Sequence, residues 1–196
     1  GFGVGTYNDQ VLEELANKGD GSYVFVDSQE EARRIFVDRF NATLQAIARD
    51  AKIQVAFNPQ LVRRYRLIGY ENRDIADADF RNDAVKAGAV GSGQSSTALY
   101  EVELQPGVDC RTTRSDLGTV FVRYHDLDTQ KVHEIATGLE GSIVQGRTPT
   151  QDPYFCLAAS AAHFAEALRQ SEHVPQPRWG ELGRVVNEVA GALPLN

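Results

Sequence analysis

Apolar residues recur every three or four positions at the start of the chain, which is the spacing of an amphipathic helix. Asn8 is a suitable N-cap for a first helix that ends at Lys18, and Gly19 follows where glycine commonly closes a helix. We expect its apolar side chains to face inward: Val11, Leu12, Leu15 and Ala16.

A strand and a second helix are predicted to follow. Residues 22–27 alternate and are rich in valine and aromatic side chains, which is typical of a strand. Ser28 and Glu31 then form a capping box for a helix that is predicted to run to about Ala48. Its side chains at helical spacing are Ala32, Ile35, Phe36, Phe40, Thr43, Leu44 and Ile47.

From residue 51 the period of the pattern changes to two, which indicates strands. Turn-forming residues separate five predicted strands, at 52–57, 62–70, 95–104, 119–125 and 131–137. Because no helix intervenes between these strands, the pattern favours an antiparallel β-sandwich-like domain.

A polar segment at 72–90 interrupts the strands and is predicted to contain a short helical turn near Ala76 to Phe80. Tyr70, Arg73 and Phe80 are candidate contacts for a partner, because aromatic residues and arginine are enriched in interaction hot spots. The alternative is that Tyr70 and Phe80 hold the segment against the core.

The last part of the chain predicts an αα-hairpin. Asp152 is the expected N-cap of a helix that reaches Gln170, with Pro153 in its first turn. A second helix follows a proline-containing turn, and its apolar stripe is Trp179, Leu182, Val185, Val186, Val189 and Leu193.

Several stretches of the sequence resemble known families. Gly-Phe-Gly-Val-Gly-Thr-Tyr-Asn-Asp at 1–9, Leu-Glu-Glu-Leu-Ala at 12–16, Gly-Ser-Tyr-Val-Phe-Val at 21–26 and Glu-Glu-Ala-Arg-Arg-Ile-Phe at 30–36 resemble the end of a von Willebrand factor type A domain. Arg-Leu-Ile-Gly-Tyr-Glu-Asn-Arg at 66–73 and Thr-Ala-Leu-Tyr-Glu-Val at 97–102 resemble the C-terminal domain of bacterial YfbK-type proteins.

These resemblances imply an α+β chain in two parts. Residues 1–48 are expected to be the last βαβα elements of a truncated α/β type A domain. Residues 49–196 are expected to form the β-rich domain that ends in the helical hairpin. The resemblance also implies a location in the bacterial cell envelope, periplasmic or extracellular.

A metal site is implied only for the missing part of the type A domain. Such domains often bind a divalent cation through a D-x-S-x-S loop, whose oxygen ligands suit a hard cation. That motif does not occur in this sequence, so no metal or cofactor ligand is assigned to it.

Composition narrows the classes of partner. The formal net charge of −7 argues against a nucleic-acid surface. No apolar run approaches the length of a membrane span, so direct membrane insertion is not expected. Cys110 and Cys156 allow either one disulfide or a buried thiol at Cys156.

Candidate chemistry centres on one predicted hairpin. His125 and His133 flank its turn and are candidates to approach each other across it, with Glu134 nearby and Ser115 as a more distant hydroxyl; the alternative is that they are isolated surface or core histidines. Asp126 and Asp128 begin like a calcium loop, although a hairpin turn is the favoured explanation.

No nucleophile motif accompanies these histidines, so no catalytic residue is assigned. We therefore expect a non-enzymatic protein-interaction or scaffolding module with a protein partner of unknown identity. A homo-oligomer or a domain swap through residues 1–42 is a further expectation. The alternative is a metal-dependent hydrolase-like enzyme that uses His125 and His133.

Overall fold

The computed structural model describes residues 8–19, 23–38, 45–69, 75–109, 115–141 and 148–193. The chain forms two compact units that alternate along the sequence. The first unit comprises residues 1–56, 75–96 and 119–138, and the second comprises 57–74, 97–118 and 139–196. The boundary predicted at residue 48 separates the expected type A remnant from the β-rich domain and rests on family resemblance. It stays a prediction.

Helix α1 spans Asp9–Lys18 and begins as predicted. The Asn8 side chain accepts a hydrogen bond of 3.2 Å from the Val11 backbone N–H, and Gly19 closes the helix. The prediction that Val11 and Leu15 face inward is wrong, because both side chains are exposed. Periodicity identifies the apolar face of a helix but does not show that a neighbour covers it.

Helix α2 spans Gln29–Arg33, and a π-helical turn over Arg34–Asp38 follows it. Ser28 caps the helix by accepting a hydrogen bond of 3.2 Å from the Glu31 backbone N–H. The prediction that this helix runs to Ala48 is wrong, because a strand has already begun at Ala46. Among residues 23–27, the predicted strand is reduced to a single bridge at Val26.

Six strands are described: β1 (Ala46–Phe57), β2 (Val62–Ile68), β3 (Gly88–Gly91), β4 (Leu99–Leu104), β5 (Gly118–Asp126) and β6 (Val132–Leu139). They form two antiparallel sheets, one in the order β3-β1-β5-β6 and one that pairs β2 with β4. The five predicted strands are confirmed, although β1 begins at Ala46, well before its predicted start at residue 52. β3 was not predicted, because three of its four residues lie inside the polar segment.

The two-stranded sheet belongs to the second unit. Tyr65 lies opposite Val102 in the register of β2 and β4. The ring of Phe57 lies 4.5 Å from that of Tyr65 and 5.4 Å from that of Tyr100, measured between centroids. These aromatic contacts stabilise one face of the β2–β4 pair, as cross-strand pairs do in other sheets.

The C-terminal helices α3 (Pro153–Leu168) and α4 (Trp179–Ala192) are confirmed as a pair. Asp152 caps α3 by accepting a hydrogen bond of 3.1 Å from the Phe155 backbone N–H. The rings of Phe164 and Trp179 meet edge to face with centroids 5.9 Å apart. The fold is therefore α+β, with two antiparallel sheets and a C-terminal helix pair.

A buried ion pair connects α3 to β2 within the second unit. The Glu166 side chain, in a residue that is only 3% exposed, accepts a 2.9 Å hydrogen bond from Arg66 and another of 2.9 Å from Ser171. Burial by itself would raise the pKa of Glu166, but the bonds from Ser171 and Arg66 outweigh it and lower that pKa. Arg66 also contacts Glu101 at 2.6 Å, on the exposed side.

These two partners of Arg66 give a matched stability test. We expect Glu166→Gln to lower the free energy of unfolding by about 2 kcal/mol, because it removes the buried anion that the half-buried guanidinium of Arg66 contacts. Glu101→Gln removes an exposed partner of the same arginine and should cost less than about 1 kcal/mol. Urea unfolding followed by the fluorescence of Trp179, the single tryptophan, measures both. Equal costs would contradict this assignment.

Candidate functional site

Residues 75–87, here called the crossing segment, lie against one face of the four-stranded sheet. A short helical turn at Asp77–Asp79 confirms the turn predicted near Ala76 to Phe80. Gln54 on β1 donates a 3.0 Å hydrogen bond to the Asp77 carboxylate. The ring of Phe80 packs against that of Phe121 on β5, with centroids 6.4 Å apart.

Lys52 on β1 holds the middle of the crossing segment. The residue is only 4% exposed, and its ammonium donates to the backbone carbonyls of Asp79 at 3.3 Å and Asn82 at 2.6 Å. A buried ammonium is costly unless its protons are hydrogen-bonded, so these two carbonyls are what makes its burial tolerable.

Two arginines form an ion-pair network beside Lys52. Arg81 of the crossing segment contacts Glu134 on β6 through both Nε and Nη2, with a closest distance of 2.7 Å. Arg123 on β5 donates to Asp83 at 2.8 Å and to Glu134 at 3.4 Å. The guanidinium of Arg81 also lies over the rings of Phe80 and Phe121, at 5.6 and 5.8 Å.

The network shifts the ionisation of its carboxylates. The hydrogen bonds from Arg81 are the main reason that the pKa of Glu134 lies below its ordinary value of 4.5. The hydrogen bond from Arg123 likewise lowers the pKa of Asp83 below 3.8. Both groups are therefore charged at neutral pH and hold the segment as carboxylates.

A cavity of about 220 Å³, here called the basic cavity, lies in the first unit beside the end of the crossing segment. Its lining residues are Arg49, Asp50, Lys52, Asp83, Lys86, Arg123, Tyr124, His125 and Val132. Four cations face two carboxylates there, which gives the cavity a formal excess of positive charge in a chain of net charge −7. Within the described residues, His125 Nδ1 is buried and has no hydrogen-bond partner.

Of the three candidate partner contacts, only Phe80 lies within the described residues. Tyr70 and Arg73 lie outside them. Phe80 is only 3% exposed, so its ring cannot serve as a surface contact and instead holds the crossing segment in place. This is the alternative that the sequence left open for Phe80.

The predicted approach of His125 and His133 is wrong. The ring of His133 stacks on Tyr124, with centroids 5.6 Å apart, and the neighbouring residue Arg123 contacts Glu134 across the same hairpin. These contacts place Tyr124 and His133 on one face of the hairpin. Since side chains alternate along a strand, His125 points to the opposite face, the one that carries Arg123.

The calcium-like sequence at Asp126 forms the hairpin turn. Its carboxylate accepts hydrogen bonds from the backbone N–H groups of Asp128 at 3.0 Å and Thr129 at 2.7 Å, and from the Thr129 hydroxyl at 2.9 Å. The bonds from Thr129 lower the pKa of Asp126. This confirms the turn interpretation.

Ser115 is an exposed residue of the second unit, whereas His125 and His133 belong to the first. The described residues contain no group of three or more His, Cys, Asp or Glu side chains placed to hold a metal ion.

Cys156 is buried, and Cys110 lies outside the described residues, so the question of their pairing stays open. In the described parts of the chain, no helix is long and apolar enough to span a membrane.

Comparison with known proteins defines the class of this α+β module. Residues 42–192 match the family described as "Uncharacterized protein YfbK, C-terminal". The chain therefore belongs to the YfbK C-terminal family. It is 30% identical over 212 aligned residues to the "Uncharacterized protein YfbK" of Escherichia coli strain K12. The alignment covers 98% of this chain and 36% of that relative, so the chain spans about a third of its length. No solved structure matches the chain.

The basic cavity was not predicted from the sequence, although the sequence contains one indication of it. Arg123 and His125 are two positions apart on a predicted strand, which places them on one face of the sheet. Arg49 was placed just after the predicted second helix, Lys52 on a predicted strand and Lys86 in the polar segment. In the structure Arg49 and Lys52 both lie on β1, and the crossing segment brings Lys86 to them through tertiary contacts that no periodicity indicates.

The role of Lys52 is testable by removing its ammonium. We expect Lys52→Met to leave two carbonyls of the crossing segment without a donor and to lower the stability of that segment by about 1–3 kcal/mol. Hydrogen exchange at the amides of Phe80, Asn82 and Val85 should accelerate accordingly. Lys86→Met, at an exposed position, is the control and should leave those rates nearly unchanged.

The ion-pair network predicts a dependence on pH. A carboxylate whose pKa is lowered by folding stabilises the fold fully above its ordinary pKa, and this contribution is lost as the pH falls through the lower folded value. The network should therefore weaken on acidification below about 4.5, the ordinary pKa of Glu134. In a carboxyl-carbon NMR titration, Arg81→Gln should move the midpoint of Glu134 up towards that value. Arg64→Gln, outside the network, should not move it.

Proposed function

We propose that this chain is a non-enzymatic protein-interaction module. The observation that supports the proposal is a row of exposed apolar side chains on α3, here called the α3 seam. Its members are Tyr154, Leu157, Ala161, Phe164 and Leu168. The four large side chains of the seam are between 42% and 66% exposed, and Phe164 keeps this exposure beside its contact with Trp179 on α4. Contiguous exposed apolar surface of this kind commonly marks a protein-binding site.

The spacing of the α3 seam suits another helix. Its members follow one another at intervals of three, four, three and four residues, which places them on one face of α3. Cys156, Ser160 and Ala167 form the buried side of the same helix and lie on a different face. A helix with the same spacing packs its side chains between those of the seam, as in coiled coils.

The occupant that we propose for the α3 seam is a second copy of the chain. Helix α3 contains no lysine, arginine or aspartate, and its one glutamate, Glu166, is paired with Arg66. Two copies of the seam therefore meet without like charges between them. A twofold axis lets the same apolar patch serve both partners.

The wider assignment rests on family resemblance. We propose that the module is the C-terminal part of a von Willebrand type A protein of the bacterial envelope, in which it supports or presents the type A domain. Membership of the YfbK C-terminal family and the motifs at residues 1–36 support this proposal. Any divalent cation would then belong to the type A domain.

The alternative of a metal-dependent enzyme that uses His125 and His133 gains no support from their positions. The two rings point to opposite faces of one hairpin. A shared metal ion or a shared substrate requires them on the same face. The interaction module is therefore the better-supported function.

The α3 seam is tested by sedimentation velocity from about 1 µM to about 100 µM protein. We expect the wild-type chain to self-associate in this range. Leu157→Glu combined with Leu168→Glu should weaken association roughly tenfold or more, because each places a charge in an apolar interface. Both residues are exposed, so the folded chain should tolerate the change.

Ile135→Glu is the matched control, because it adds a charge at an exposed apolar residue of β6, outside the seam. It should associate like the wild type. A wild-type chain that stays monomeric over the whole range would contradict the proposed occupant. Equal effects of the seam variant and the control would contradict the seam as the interface.

A further inference from the structure

We propose that the basic cavity binds a small oxyanion of the phosphate type. The cavity lies entirely within the first unit and involves no residue of the α3 seam, so this inference is independent of the interaction function. Its volume of about 220 Å³ has room for one tetrahedral oxyanion together with several water molecules.

The first argument is uncompensated charge. Arg49 and Lys86 share the single carboxylate of Asp50, at 3.9 and 3.4 Å, and that carboxylate also accepts a hydrogen bond from the Ala87 backbone N–H. The hydrogen bonds of the Lys52 ammonium go to two neutral carbonyl oxygens. Cations of the wall therefore outnumber the anions that serve them, which favours an anionic ligand over a metal ion.

The second argument is the unsatisfied ring nitrogen of His125. A buried polar atom without a partner is rare in folded proteins and calls for a ligand or an ordered water. Nδ1 has almost no accessible surface, so an oxyanion in the cavity reaches it only after a rotation of the imidazole ring, in the tautomer or charge state that carries a proton on Nδ1. Arg123, two residues earlier on the same strand face, presents a guanidinium to the same cavity.

The carboxylates of the cavity do not oppose this ligand. Asp83 lies 2.8 Å from the guanidinium of Arg123, which compensates its charge and lowers its pKa. At the cavity rim, Asp50 compensates the charge of only one of its two partners, Arg49 and Lys86, so one unit of positive charge is left there for an anion. Both side chains are exposed and can contact an entering anion, since surface ion pairs of this length are weak.

The test is an NMR titration of the whole chain with inorganic phosphate at pH 7 and low salt. We expect saturable shifts of the His125 ring signals and of the Lys52 and Arg123 amides, which weaken as sodium chloride is added. Phenyl phosphate is titrated in parallel, because it carries the same phosphoryl group as a monoester. Binding of both ligands identifies a site for the phosphoryl group, and binding of inorganic phosphate alone identifies a site for the free ion.

Matched variants connect the binding to the cavity. Arg49→Gln combined with Lys86→Gln removes two rim cations and should weaken phosphate binding about tenfold. Arg63→Gln combined with Arg184→Gln removes the same charge from exposed positions of the second unit and should change affinity by less than about twofold. No saturation by about 10 mM phosphate would overturn the proposal. Equal effects of the two double variants would overturn it as well.

Discussion

The burial of one ammonium group determines how the first unit is organised. Lys52 is almost fully buried on a central strand, where an unpaired cation would be prohibitively costly. The carbonyls of Asp79 and Asn82 satisfy it, and they reach it only when the crossing segment lies across the sheet. That single requirement places Arg81 and Asp83 opposite Glu134 and Arg123, so the ion-pair network follows from it.

The second unit meets a similar constraint with a charge of the opposite sign. Glu166 is buried on α3, and its carboxylate is satisfied by Arg66 from β2 and by Ser171 just after the helix. Buried pairs of this kind contribute little net stability compared with apolar packing, yet they are strongly destabilising when one partner is lost. They therefore specify how elements of a unit are positioned more than they add to its stability.

Local signals predicted the helix starts well, and tertiary contacts explain most of the errors. The sequence identifies three N-caps, Asn8, Ser28 and Asp152. Each capping side chain accepts a hydrogen bond from a backbone N–H only three residues further along the chain, so the signal is local. The start of β1 was missed because Ala46 to Ala48 continue the apolar spacing of the preceding helix. Strand β3 and the role of Lys52 were missed because their partners lie about thirty or more residues away in the sequence.

His125 and His133 show how strand register determines which side chains can act together. From the sequence, His125 and His133 flank one turn and resemble a pair, but a direct pair across this hairpin joins Tyr124 to His133. An offset of one residue turns a side chain to the other face of a strand. His125 therefore joins Arg123 in the wall of a cavity with excess positive charge, where its unsatisfied nitrogen is better suited to bind an anion than to share a metal with His133.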